Sequence, residues 1–357
     1  MKWIKRVPCG LLCAALLLVM LPGAYAEQPG RITADMTMGE IRNDPDVQKT
    51  GIYLSGSFGE GTSLTRDRFD SQSLKDYAWS GNAEKVAAAL NLAAENAEAG
   101  VQVTHQVYSA EEIEEDASLG CVQLYYFPGK NPGGKYALVL SGNALTINGT
   151  VGEGLPTAWE LHEMGYTVFL LRYRAWLDLG GNAPLNDLGR AVKYITDHAA
   201  EFQVNPEQYA LLGYSSGGQI AGIFAGKEHG YARFGVPKPG TLILGYPVAG
   251  LSVLKLVYRI LYDPAECGWR YYGTEIGKAV DDGYPPVYYW RGDNDTILGP
   301  ISRSSAYREF EAALQAHHIV YQKTYYANAP HAISVGSNTD AEGWLKNAAA
   351  FWEEQTK

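Results

Sequence analysis

Cysteine is scarce in this chain: four among 357 residues, two of them, Cys9 and Cys13, near the N-terminus. No Cys/His cluster has the spacing of a metal site, so neither a metal nor an organic cofactor is implied. Charge is thin as well, at 19% of residues, and positive charge is in the minority, with 29 Lys+Arg against 39 Asp+Glu and a formal net charge of -10. A nucleic-acid partner would call for a basic excess, and there is none. The 40 glycines have no collagen-like period, and a hydrophobic share of 46% is too high for a disordered chain. No internal repeat or low-complexity tract is present. What remains is a folded, acidic, globular protein.

The N-terminal apolar stretch, Leu11 to Leu21, is also short, below the roughly 20 residues needed to span a bilayer. Lys2, Lys5 and Arg6 precede it and the small-residue triplet Ala24-Tyr25-Ala26 follows it. This pattern predicts a signal peptide over residues 1–26, cleaved after Ala26, and a secreted or periplasmic protein with no membrane attachment after cleavage. Cys121 and Cys267 are then the only cysteines left, and nothing in the spacing shows that they pair.

Strand and helix patterns alternate through most of the chain. Val101 to Tyr108 and Val122 to Phe127 are short β-rich runs that suit an antiparallel pair at a sheet edge. Tyr136 to Leu140, Tyr166 to Arg172, Tyr209 to Leu212, Thr241 to Gly245, Pro286 to Trp290 and Val320 to Tyr326 are apolar or aromatic runs of the kind found in strands buried on both faces. Helical patterns lie between and after them, at Thr157 to Met164, Asn186 to Phe202, Gly217 to Gly226, Ser302 to His317 and Ala341 to Glu354. The alternation predicts an α/β fold, a mostly parallel central sheet with helices on both faces, over residues 101–357. Residues 27–100, with the Ala-rich run Ala83 to Ala99, read as a partly helical N-terminal extension over one end of the sheet. Residues 250–283 read as a short cap insertion.

The strongest chemical signal is Gly213-Tyr214-Ser215-Ser216-Gly217-Gly218, placed directly between a strand and a helix. A nucleophile at such a sharp turn needs Gly two residues to either side, where a Cβ would strike the neighbouring strand or helix, and only Ser215 has both. The backbone N–H of Ser216 falls at the helix N-terminus, where a developing oxyanion is stabilised. A serine hydroxyl is inert without a base, so a histidine and an acid are expected on later loops of the same sheet edge. Of seven histidines, His331 follows the last strand and precedes the last helix; the other six fall in helical, strand or polar-loop patterns. For the acid, Asp293 and Asp295 both follow the penultimate strand.

The motifs resemble those of the α/β-hydrolase superfamily, esterase/lipase type, and most closely its bacterial acetyl-esterase and xylan-esterase-like branch. The resemblance runs over roughly residues 120–357. The elbow of that branch reads Gly-x-Ser-Ala-Gly-Gly, matched by Gly213 to Gly218. Its acid sits in His-Gly-x-x-Asp-x-x-Val, which lies along Arg291 to Leu298 and implies Asp295 rather than Asp293; Arg291 departs from the usual His. Asp187, the helix after it and Asn205-Pro206 follow the pattern before the elbow, and Glu153 to Ala158 that of the approach to the first helix. The family's Gly-Gly-Gly-Tyr oxyanion loop is replaced by Ser141-Gly142-Asn143-Ala144-Leu145. The resemblance therefore implies catalytic Ser215, Asp295 and His331, and an oxyanion hole from Ser216, Asn143 and Gly142.

The expected activity is a serine esterase acting on a carboxylic ester, as a small molecule or an oligosaccharide carrying an acyl group. Two alternatives stand beside it: a peptidase of the prolyl-oligopeptidase type, for which the extension is too short to build the usual propeller, and a catalytically silent binding protein on the same fold.

Overall fold

A computed structural model of the protein describes residues 31–54, 68–78, 81–142, 149–174, 182–250, 274–298 and 304–357. Eight strands form one sheet: β1 (Thr104–Gln106), β2 (Gln123–Phe127), β3 (Tyr136–Leu140), β4 (Thr167–Arg172), β5 (Ala210–Tyr214), β6 (Thr241–Gly245), β7 (Val287–Gly292) and β8 (Tyr321–Tyr326). Their spatial order is β1-β2-β4-β3-β5-β6-β7-β8. β2 is antiparallel to both β1 and β4, and every pairing from β4 to β8 is parallel. The expected mostly parallel sheet with an antiparallel edge is therefore present. Register places the site. Leu140 pairs with Gly213, Tyr214 with Gly245, and Gly245 with Trp290, so β3, β5, β6 and β7 end at one level and release their loops from one edge.

The described helices are α1 (Met38–Asn43), α2 (Pro45–Thr50), α3 (Leu74–Tyr77), α4 (Ala83–Glu98), α5 (Ala110–Glu115), α6 (Leu155–Glu163), α7 (Ala183–Asp197), α8 (Ser215–Phe224), α9 (Ser304–Ala316) and α10 (Trp344–Gln355). Alternate side chains of each strand point to opposite faces. Ala137 and Val139 of β3 and Val168 and Leu170 of β4 join one core, whereas Leu138 and Leu140 of β3 and Phe169 and Leu171 of β4 join the other. Every side chain of β3, β5 and β6 is buried, as their unbroken apolar runs require. β8 departs from that expectation. Among the described residues it has β7 as its one neighbour, and Gln322, Lys323 and Tyr325 are exposed, the polar dressing of an edge strand.

The N-terminal segment shares the core of one face rather than covering an end of the sheet. Val86, Leu90 and Ala93 of α4 are buried together with Ala158 and Leu161 of α6 and with Ile32 and Met38. Burying a side chain such as Leu90 stabilises by about 1.5–3 kcal/mol. Helix α7 ends at Asp197, short of the predicted Phe202, and residues 198–203 turn back toward the sheet. Cys121 is a half-buried free thiol, and Cys267 lies outside the described residues, as do the proposed signal peptide and most of the insertion, 251–273.

Candidate active site

Ser215 is the first residue of α8, directly after β5, with φ +49°. A non-glycine residue in this left-handed region costs of order 1–3 kcal/mol and persists only where its surroundings over-determine it. The surrounding glycines show how. A Cβ on Gly213 would lie 2.5 Å from the Gly217 carbonyl oxygen, one on Gly217 would lie 2.5 Å from the Ser141 carbonyl oxygen, and one on Gly218 would lie 2.8 Å from Pro247 Cβ. The strand, the turn and the helix close on one another only with glycine at these positions. Ser216, in the first turn of α8, is buried, at the helix end where the macrodipole favours negative charge.

His331 lies on the loop after β8, its side chain 7% exposed. Its Nε2 is 2.9 Å from Ser215 Oγ and its Nδ1 is 2.7 Å from Asp295 Oδ2. An ionised carboxylate only accepts, so Nδ1 carries the proton and donates to Asp295, which leaves Nε2 to accept from the serine hydroxyl. Asp295 Oδ1 also accepts the N–H groups of Ile297, at 3.1 Å, and Leu298, at 2.7 Å. Burial by itself would raise the Asp295 carboxyl, but the bond and charge of His331 and the two N–H groups outweigh it and hold it below the usual carboxylate range. Asp293 is exposed and its backbone N–H donates to the Tyr326 carbonyl, so of the two candidate acids it is Asp295 that meets His331.

The loop that carries His331 is itself constrained, with positive φ at Ala332, Ser334 and Gly336. Asn82 Nδ2 donates to the Ile333 carbonyl at 3.0 Å, Lys85 Nζ to Ser337 Oγ at 2.6 Å, and Trp344 Nε1 to the Ser334 carbonyl at 2.9 Å. The first two reach across from the N-terminal segment.

The expected oxyanion hole needs a correction. The N–H of Gly142 donates to Glu153 Oε2 at 2.5 Å in a buried position, so it is committed to that carboxylate and not offered to a substrate oxygen. Asn143 lies outside the described residues. Glu153 completes its partners with the Tyr246 hydroxyl, which donates to Oε1 at 2.7 Å. Burial raises the Glu153 carboxyl, while the Tyr246 hydroxyl, the Gly142 N–H and the neighbouring His331 pull it the other way.

Set against known proteins, the BD-FAE family model matches residues 126–234, a span that includes Ser215 but neither Asp295 nor His331. The crystal structure of an acetyl ester-xyloside bifunctional hydrolase from Caldicellulosiruptor lactoaceticus superposes with a TM-score of 0.54 at 20% identity, covering 65% of this chain and 88% of that one. The fold is that of an α/β-hydrolase. In sequence, the chain is 25% identical over 239 residues to endo-1,4-beta-xylanase B of Butyrivibrio fibrisolvens, covering 63% of this chain and 35% of that protein. It is 25% identical over 134 residues to an acetylxylan esterase of Xylanibacter ruminicola, covering 37% of this chain and 26% of that protein. The chain thus spans only about a third and a quarter of these two relatives.

Sequence reasoning placed Glu153 only as a marker of register, and missed Tyr246 altogether. The one available signal was an acidic residue inside the otherwise uncharged stretch Leu145 to Trp159, a stretch that also leads into a buried helix.

Proposed function

We propose that this protein is a secreted or periplasmic serine esterase that cleaves a carboxylic ester, with an acyl group on a carbohydrate as its substrate class. The observation that carries the reading is the hydrogen-bonded series Ser215, His331 and Asp295, at 2.9 and 2.7 Å. Ser215 Oγ attacks the ester carbonyl carbon as His331 Nε2 takes its proton. Asp295 keeps the imidazole in the Nδ1–H tautomer and stabilises the imidazolium that forms. His331 then returns the proton to the departing alkoxide, so the alcohol leaves neutral and an acyl-serine remains. Water, deprotonated by the same imidazole, releases the acid and restores Ser215.

For the oxyanion, the proposed donors are the backbone N–H of Ser216 and, from the loop after β3, that of Asn143; Gly142 is withdrawn. The carbohydrate half of the reading is supported by the names of the relatives, a xylanase, an acetylxylan esterase and an acetyl ester-xyloside hydrolase. Secretion is supported by Lys2, Lys5 and Arg6, the short apolar stretch and the Ala24-Tyr25-Ala26 triplet. The test compares hydrolysis of an aryl acetate with release of acetate from acetylated xylo-oligosaccharides, with Ser215→Ala as control. Turnover of both that vanishes in the variant is the expected result. Hydrolysis of neither, by protein shown to be folded, would favour the silent binding protein.

A further inference from the structure

We propose that Glu153 is a positioning residue of this site: one buried carboxylate that fixes Gly142 against Ser215 and, through Tyr246, fixes the loop of His331. The inference rests on the roles given above to Ser215, His331 and Asp295, and it gives a task to a buried acid that those roles leave unused.

Three separate stretches of backbone meet at this residue, two at its carboxylate and one at its carbonyl. Gly142 follows β3, Tyr246 follows β6, and Ser334 lies on the loop of His331. Glu153 accepts from the Gly142 N–H at 2.5 Å and from the Tyr246 hydroxyl at 2.7 Å. The Tyr246 oxygen in turn accepts the Ser334 N–H at 2.9 Å, and the Glu153 carbonyl accepts the Ser334 hydroxyl, also at 2.9 Å. The Tyr246 ring stands edge-on to the imidazole of His331, centroids 4.8 Å apart. On the other side, Gly142 presses on the nucleophile. A Cβ there would lie 2.9 Å from Ser215 Cβ and 3.0 Å from Glu153 Oε2. The Gly142 carbonyl is held too, by the Gly149 N–H at 2.8 Å, so neither polar group of this residue is free to turn.

The chemistry explains why the position carries an acid. Two donors converge on it, an N–H and an O–H, and an ionised carboxylate offers an acceptor oxygen to each. An amide offers one oxygen and one NH2, so it can satisfy the Gly142 N–H only by turning a donor toward the Tyr246 hydroxyl, whose own proton then has no acceptor. A buried carboxylate is costly to maintain, and filling space would be served by an apolar side chain. What the acid adds is a fixed geometry between nucleophile and base, and a misplacement of about 1 Å in such a geometry can lower turnover roughly 10²-fold.

The test measures kcat and KM for an aryl acetate in Glu153→Gln, Tyr246→Phe and the double variant, with Ser215→Ala alongside. The proposal expects Glu153→Gln and Tyr246→Phe each to lower kcat by about tenfold or more while KM stays within about threefold. It also expects the double variant to be no worse than the poorer single one. With the Tyr246 hydroxyl gone, the amide introduced by Glu153→Gln no longer opposes a second donor, and its oxygen is free for the Gly142 N–H. A kcat within about twofold of the parent, or losses that multiply in the double variant, would overturn it and leave Glu153 a role in the fold alone. If Glu153→Gln does not fold, Tyr246→Phe, which removes only an oxygen, reads the same link and decides on its kcat. Hydrolysis that survives Ser215→Ala is a distinct outcome: it overturns the assigned nucleophile, and the inference falls with it.

Discussion

A Cβ on Gly292 would lie 1.8 Å from the carbonyl oxygen of Ala329. The end of β7 and the loop after β8 therefore run in direct backbone contact, three residues before Asp295 on one side and two before His331 on the other. That contact brings the carboxylate and the imidazole to 2.7 Å. Gly292→Ala has to push the two loops apart, and turnover is expected to fall by roughly 10²-fold. Steady-state kinetics on folded variant protein checks this, and unchanged kcat would show that the loops can yield without moving the pair.

Ser215→Ala is expected to lower ester hydrolysis by several orders of magnitude, as loss of the nucleophile costs roughly 10⁶ in the worked protease case. Ser216→Ala keeps the backbone N–H and is expected to stay within about tenfold of the parent. Equal losses in the two variants would take the nucleophile away from Ser215.

Asp295→Asn is expected to lower kcat far more than Asp293→Asn. An amide facing Nδ1 can favour the wrong imidazole tautomer, an effect of about 10⁴ in the protease case, whereas Asp293 is exposed and offers its backbone N–H to Tyr326. Similar kcat values for the two variants would contradict the observed geometry.

Asp295 and Glu153 should act on stability with opposite pH slopes. The Asp295 carboxyl is held below its usual range, so its contribution is present above the unfolded value of about 3.9 and is lost as pH falls through the lower folded value. The Glu153 carboxyl is raised, so its contribution is present below the unfolded value of about 4.3 and is lost as pH rises through the higher folded value. Urea midpoints measured from acid to neutral pH should show a shallower acid limb in Asp295→Asn and a smaller loss on the way to neutral in Glu153→Gln. Curves that keep the parent's shape in both variants would count against these shifts.

Asn82→Ala tests the hold of the N-terminal segment on the His331 loop. Asn82 is 1% exposed and donates to the Ile333 carbonyl, so its loss strands a buried acceptor and is expected to destabilise the protein by about 1–3 kcal/mol. Denaturant unfolding gives the number. A change below about 0.5 kcal/mol would mean that the loop stands without this bond.

The amino-acid sequence by itself determined the elements and the turn. Apolar runs such as Tyr136 to Leu140 and Thr241 to Gly245 call for strands buried on both faces, as in a parallel sheet covered by helices. The glycines around Ser215 mark a strand-to-helix turn because the steric demand there is local, within a few residues of chain. His331 was legible from its place after the last strand, since a parallel sheet releases all such loops at one edge; the place after the penultimate strand suits Asp293 and Asp295 alike, and the family resemblance alone favoured Asp295. Only the tertiary structure decided what happens between distant segments. It committed the Gly142 N–H to Glu153, joined Tyr246 to the His331 loop through Ser334, put β8 at an exposed edge, and laid α4 into the core of one face. None of these follows from spacing or composition, because each depends on segments distant in sequence that meet through space, and neither an apolar face nor a backbone N–H carries a mark in the sequence of which partner it will find.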